Sequence, residues 1–531
     1  MSRLIFDNQP SPPQFNPVRA DIACFVGLVR VAPGGVLPTA LSPWLNSLGY
    51  SNAQIATLTN IPVKLDSWGA FTSLFDDGSS GNGFGTDYVA AAVRTFFAQG
   101  GRRCYMVRVA DPVTSTDQPA DRNAKLQALF PDSSYAPDDA STWLGIGNLA
   151  PLEDVSILLM PDLPVLCASQ QVQAAGQAPA SPTGPEQFVE CSQGDITPPQ
   201  FHTLPTPAPH LTLQDYGRWA ANVATILNFL SGGRIHHQLH LREVQFVAAF
   251  PLPQDLDAAS AAENPSAAEI AQDIHKVIDQ QMPESVPPPD AVQPGNISTA
   301  FLQLAYPWLK TSGSGMLLES LEPPDGALAG LIARNALTRG TFTSATKITP
   351  SEIYDLWPPL PAWETKSSAT PLIWGQNAPQ KALIERISLF GFSPAGLVLM
   401  SDVTAYPGES YRAAPVNRLV SVICRAARRM GESAAFQSNG PSLWGRVQRF
   451  LQNLLTRLWT LNALDGATVA EAFSVRCDRT TMTQNDLDNG RCLAIVTFQA
   501  ASILETITVK LALETAGTNA QEITANMVGA S

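Results

Sequence analysis

The chain has 531 residues, of which 45% are hydrophobic and only 15% charged, and its formal net charge is −13. That length allows roughly two to four domains with ordinary packed cores. The acidic total argues against general nucleic-acid binding, because phosphates are repelled outside local basic patches. With 44 prolines the chain reads as loop-rich. The seven cysteines, at 24, 104, 167, 191, 424, 477 and 492, form no CxxC pair and are irregularly spaced, as expected of reduced thiols rather than a disulfide framework. Residues 1–20 hold no apolar signal segment, and no run of about 18 apolar residues occurs, so folding and assembly in the cytoplasm are expected, with no direct membrane insertion; virion, extracellular and membrane-anchored locations all stay open for the final particle.

Residues 1–20 carry four prolines and read as an extended arm. Ile22–Val31 is the first strand candidate. Residues 33–60 read as a loop with a short helix. The pattern at 86–99 predicts a helix with Tyr88, Ala92 and Phe96 on one side, closed by Gly100-Gly101 and followed by a buried strand at Cys104–Val109. Val155–Met160 is another apolar strand. Residues 168–210 hold eight prolines and read as an insertion on an exposed face. A helix at 212–230 and a strand at Val244–Phe250 follow. Residues 251–330 carry eleven acids against two lysines, which suggests a solvated outer face. Ala345–Ala378 is Pro/Trp-rich and irregular.

The C-terminal part is the most regular. Val416–Met430 and Ser442–Leu464 read as helices, separated by the stop signal Asn439-Gly440-Pro441. On the second, Leu443, Val447, Leu451, Leu454 and Leu458 form an apolar stripe, and Arg446, Arg449, Asn453 and Arg457 form a polar one. Strands are expected at Ala472–Cys477, Arg491–Gln499 and Thr506–Leu513. The last places Ile507, Val509, Leu511 and Leu513 on one face. Residues 514–531 read as a tail. Between Arg418 and Thr460 stand seven arginines and one acid, Glu432. A basic helix pair in an acidic chain calls for an acidic partner surface.

Other motifs are weaker. Gly145–Ala150 mimics GxGxxA but precedes a strand, so it lacks phosphate-cradling geometry. His236, His237 and His240, with Glu243 nearby, are the only clustered histidines; a polar turn explains them better than a metal site. No GxSxG elbow nominates a hydrolase. No cofactor, metal or catalytic residue is nominated. A surface- or carbohydrate-binding module using the Trp/Pro stretch 357–374 is the main alternative class.

Several blocks, in order, resemble the contractile tail sheath family of phages and phage-tail-like injection systems. They are DIACFVGLV (21–29), WGAFTSLF (68–75), YVAAAVRTFFAQGGRRCYMVRV (88–109), LEDVSILLMPD (152–162), REVQFVAAFPLP (242–253), AYPWL (305–309), EPPDGALAGLIAR (322–334) and, longest, 443–498. The departures are insertions near 37–60 and 168–210 and the tail. The resemblance implies an α/β and α+β multidomain fold. Its parts are an arm at 1–20, an outer α/β region at 21–375, an inner C-terminal domain at 376–513 and the tail. That inner domain has two helices and a small β-sheet completed by the arms of neighbouring subunits. The implied function is a non-enzymatic sheath subunit, polymerising as a helix or stacked rings around an inner tube and contracting to drive the tube into a target membrane. Implied partners are further copies of the chain, the tube protein, baseplate and cap proteins and a second sheath paralogue, with no nucleic acid directly. Arg446, Arg449, Asn453 and Arg457 become candidates for tube contact. Leu4, Ile5 and Phe6 with Ile507, Val509, Leu511 and Leu513 become candidates for strand exchange between subunits.

Overall fold

The computed structural model describes residues 20–76, 86–169, 208, 210–231, 239–253, 274–275, 277–278, 297–346, 348–360, 364–365, 382–394, 396–434, 437–501 and 506–513. The expected arm, most of the 168–210 insertion, much of the acidic stretch and the tail lie outside them.

Ten described strands build the larger part of the molecule: β1 (Ala23–Leu28), β2 (Pro62–Leu65), β3 (Cys104–Ala110), β4 (Ile157–Leu159), β5 (Gln245–Ala249), β6 (Leu302–Tyr306), β7 (Trp308–Thr311), β8 (Ile353–Trp357), β9 (Ser388–Ser393) and β10 (Gly396–Leu399). Eight of them form one sheet in the order β10-β9-β6-β5-β4-β1-β3-β2. From β9 to β3 the neighbours are parallel, and antiparallel β10 and β2 close the two edges. Parallel strands need cover on both faces, which is why β1 is buried at all six positions.

Side-chain alternation divides the core between the two faces. Cys24, Val26 and Leu28 point to one layer with Phe246, Leu304 and the 213–231 helix, through Tyr216, Trp219, Val223 and Ile226. Ala23 and Phe25 point to the other, with Val247 and two helices, Tyr88–Ala98 and Asp325–Thr338. Those helices pack closely because Gly326 and Gly330 face the first one's backbone. A Cβ on Gly326 would sit 2.4 Å from the Ala92 carbonyl oxygen, and one on Gly330 would sit 2.6 Å from that of Phe96. The first helix ends as its glycines predict, with Gly100 at φ +108.

The C-terminal part has its own core. Helices Ala414–Ala434 and Pro441–Thr460 pack on a three-stranded antiparallel sheet, β11 (Phe473–Arg476), β12 (Cys492–Gln499) and β13 (Thr506–Leu513), with β12 in the middle. Gly440-Pro441 starts the second helix, since proline at the first position lacks only an N–H that would have no partner there.

Residues 37–60 are anchored to the main core by buried Leu37, Leu45, Tyr50, Ile55 and Leu58, and the Tyr50 hydroxyl donates to Asn148 Oδ1 at 2.7 Å. Two expectations need correction. Residues 388–399, expected in the C-terminal domain, form β9 and β10 at the edge of the large sheet. The acidic 251–330 stretch is not uniformly solvated either, because Glu322 and Asp325 are buried beneath the Asp325–Thr338 helix start.

Candidate functional site

The seven arginines of the basic block divide into two groups with different surroundings. On helix Pro441–Thr460, Leu443, Val447, Leu451, Leu454, Leu455 and Leu458 are buried, while Arg446, Arg449, Asn453 and Arg457 are exposed. At about 100° per residue these four fall within an arc of about 80°. The three arginines form no ion pair with described residues, and the Arg449 Nε donates only to its own helix, to the Gly445 carbonyl at 3.0 Å. The structure therefore gathers all four candidates on one solvent-facing basic stripe.

The arginines of helix Ala414–Ala434 point the other way, into the N-terminal ends of the large sheet's strands. Arg418 makes a forked pair with Asp402, at 3.0 Å from Nη1 to Oδ1 and 2.6 Å from Nη2 to Oδ2. Arg425 Nε lies 3.1 Å from Glu243 Oε2. Its other nitrogens donate to Ser156 Oγ at 2.9 Å and the Val155 carbonyl at 3.0 Å. Arg428 holds the same carboxylate from Nε, 2.9 Å from Oε1, and also pairs with Glu432 at 2.7 Å. Arg429 approaches Glu153 at 3.8 Å. Beside them Asn417 Nδ2 donates to Gln245 Oε1 at 2.8 Å.

For this helix the acidic partner surface lies in the same chain. Burial raises the Asp402 carboxyl, but the Arg418 guanidinium overcomes it and holds the group below the ordinary aspartate range. Sequence reasoning missed Asp402, Glu243 and Glu153 as partners, because no local spacing links residues so far apart. The only signal was the shortage of acids among the arginines.

The small sheet has two outer edges, β11 and β13, and among the described residues neither is paired on its outer side. β13 is paired with β12 of its own chain along all eight residues. Val509 is buried and Leu511 half-buried. The side chains of Ile507 and Leu513, and residues Leu4, Ile5 and Phe6, lie outside what is described.

The remaining motifs have structural roles. Gly145–Leu149 is a buried tight helical turn ahead of β4. His240 is buried, with Nε2 3.2 Å from the Leu149 carbonyl oxygen, and burial lowers its pKa. Glu243 is occupied by two arginines, while His236 and His237 lie outside the described residues. Among the described residues no group of three or more His, Cys, Asp or Glu is placed to hold a metal. Of the Pro/Trp stretch, Trp357 lies in β8 paired with Trp308 of β7 and packs against the core. Among the described residues no helix is long and apolar enough to cross a membrane.

No family model matches the sequence, and no curated protein does. Solved structures do. A chain of the anti-feeding prophage (AFP) baseplate, 6-fold symmetrised, superposes with a TM-score of 0.51 at 17% identity, covering 94% of this chain and 95% of that one. The AFP helical sheath in its contracted state superposes with a TM-score of 0.50 at 17% identity, covering 95% and 98%. At 17% identity these matches show a shared fold, that of the AFP helical sheath chain. This chain has that fold over nearly its whole length.

Proposed function

We propose that this chain is the structural subunit of a contractile sheath that polymerises around an inner tube and shortens to drive that tube into a target. The carrying observation is the likeness to the AFP helical sheath, which extends across 95% of the chain rather than one domain. Two features of the surface support it. Among the described residues the small sheet leaves both outer edges unpaired, as β-strand addition requires, so an arm carrying Leu4, Ile5 and Phe6 can extend a neighbour's sheet. Head-to-tail contacts that do not close then generate a helical tube. The stripe Arg446/Arg449/Asn453/Arg457 is exposed and basic, as contact with an acidic inner tube requires. Exposed ion pairs contribute roughly 0–1 kcal/mol each, so many weak contacts hold the tube and release it on contraction. Baseplate and cap proteins would bind the ends of the assembly.

Negative-stain electron microscopy of the purified chain tests the reading. Hollow tubes are expected without added cofactor, and a discrete monomer under all assembly conditions would overturn it. Arg446→Glu with Arg457→Glu should give sheaths that no longer retain tube, and tube-filled particles from that variant would remove the stripe from the contact.

A further inference from the structure

At the end of the β11/β12 ladder two thiols meet. Cys477 directly follows β11 and Cys492 begins β12, 15 positions apart, and their Sγ atoms are 3.5 Å from each other. Both are buried in the C-terminal core, which holds them in fixed relation. Carried one residue past its end, the register of Arg476 opposite Ile495 sets Cys477 across from Ala494, so Cys492 lies on the diagonal two residues further along. Among the described residues no other two cysteine sulfurs are in contact. A disulfide requires an S–S separation of about 2.05 Å, so the two sulfurs must close by about 1.5 Å.

The segment between the cysteines is largely exposed. It carries the short helix Gln484–Asp488, which buries none of its residues, and it is tied down by Met482, by the Thr481 hydroxyl donating to the Leu493 carbonyl at 2.7 Å and by the Asn439 amide donating to the Arg491 carbonyl at 2.9 Å. Segments with few buried contacts open locally far more often than the whole fold, and such opening admits a small reagent to the pair.

We propose that Cys477 and Cys492 are a reversible redox pair, closing to an intrachain disulfide when the chain meets a low-molecular-weight disulfide oxidant. Either thiol can donate in the hydrogen bond between them; with Cys477 donating, the Cys492 thiolate is favoured and Cys492 is the attacking sulfur. It displaces one thiolate from the reagent and forms a mixed disulfide. Cys477 then attacks the Cys492 sulfur, the Sγ–Sγ bond forms, and the second reagent thiolate leaves. The two cysteine protons go to the two released thiolates, so two thiols are oxidised and one reagent disulfide is reduced. The product clamps β11 to β12 and closes the 478–491 loop, which stabilises the fold chiefly by restricting the unfolded chain. The inference does not depend on the assembly reading.

The test uses the full reduced chain, incubated with glutathione disulfide, alkylated and digested for mass spectrometry. The expected product is a Cys477–Cys492 linked peptide that reductant removes. A melting temperature higher by several degrees in the oxidised chain should accompany it, and be absent from Cys477→Ser and Cys492→Ala. Full alkylation of both thiols after prolonged incubation would overturn the proposal. So would a glutathione adduct that never resolves, or a link from either residue to another cysteine. A linked peptide without a melting shift would leave the redox pair standing and remove the stabilising role of the clamp.

Discussion

Arg425 and Glu243 stand 182 positions apart in the chain, yet Nε lies 3.1 Å from Oε2, with both side chains less than 5% exposed. The carboxylate also receives Arg428. The pair ties the C-terminal helix to the strand ends of the large sheet. Removing one partner of a buried ion pair leaves an uncompensated charge and costs about 3–5 kcal/mol. Glu243→Gln is therefore expected to destabilise the chain by about that much in urea denaturation. A loss below about 1 kcal/mol would mean that water screens the site.

Asp402 and Arg418 give a pH dependence of the opposite kind to that of Glu322. Asp402 is held below the ordinary 3.8 of an aspartate. Its contribution is therefore present above pH 3.8 and lost as pH falls through the lower folded value. Asp402→Asn should lower stability at pH 7 and flatten the acid limb of the stability–pH curve, and an unchanged acid limb would refute this.

Burial raises Glu322 to about 7 from the ordinary 4.5, although the hydroxyls of Thr95 and Thr311 donate to it. The folded chain thus binds this proton more tightly than the unfolded chain. The contribution is complete below pH 4.5 and lost as pH rises towards about 7. Glu322→Gln should leave stability near pH 4 little changed and raise it at pH 8, by on the order of 2–3 kcal/mol. Thermal melts at the two pH values measure the difference, and equal shifts at both would contradict it.

Gly326 lies against the backbone of the Tyr88–Ala98 helix, where an added Cβ would come within 2.4 Å of the Ala92 carbonyl oxygen. Gly326→Ala has to push two packed helices apart, and overpacking of this kind typically costs about 1–3 kcal/mol. The expected result is a lower melting temperature with unchanged secondary-structure content. A stabilised variant, as helix propensity alone would give, would show that the helices separate freely.

The stripe arginines should behave differently from those of the first helix. Arg446→Glu or Arg457→Glu alters an exposed side chain and is expected to change stability by no more than roughly 0.5 kcal/mol. A much larger loss would mean that the side chain has an intramolecular partner.

The sequence by itself determined the local elements. Helix 88–98 with its closing glycines, the two C-terminal helices and β11 to β13 were legible because periodicity, glycine and proline act over a few residues. The exposed stripe was legible for the same reason, since it depends only on 3.6-residue spacing along one helix. Tertiary structure decided the rest. It sent β9 and β10 to the large sheet, buried Leu37, Leu45, Tyr50, Ile55 and Leu58, and separated the basic block into three exposed arginines and four paired with acids of the same chain. Strand order and charge pairing join residues distant in the chain, so they depend on which surfaces meet, and no local spacing encodes that.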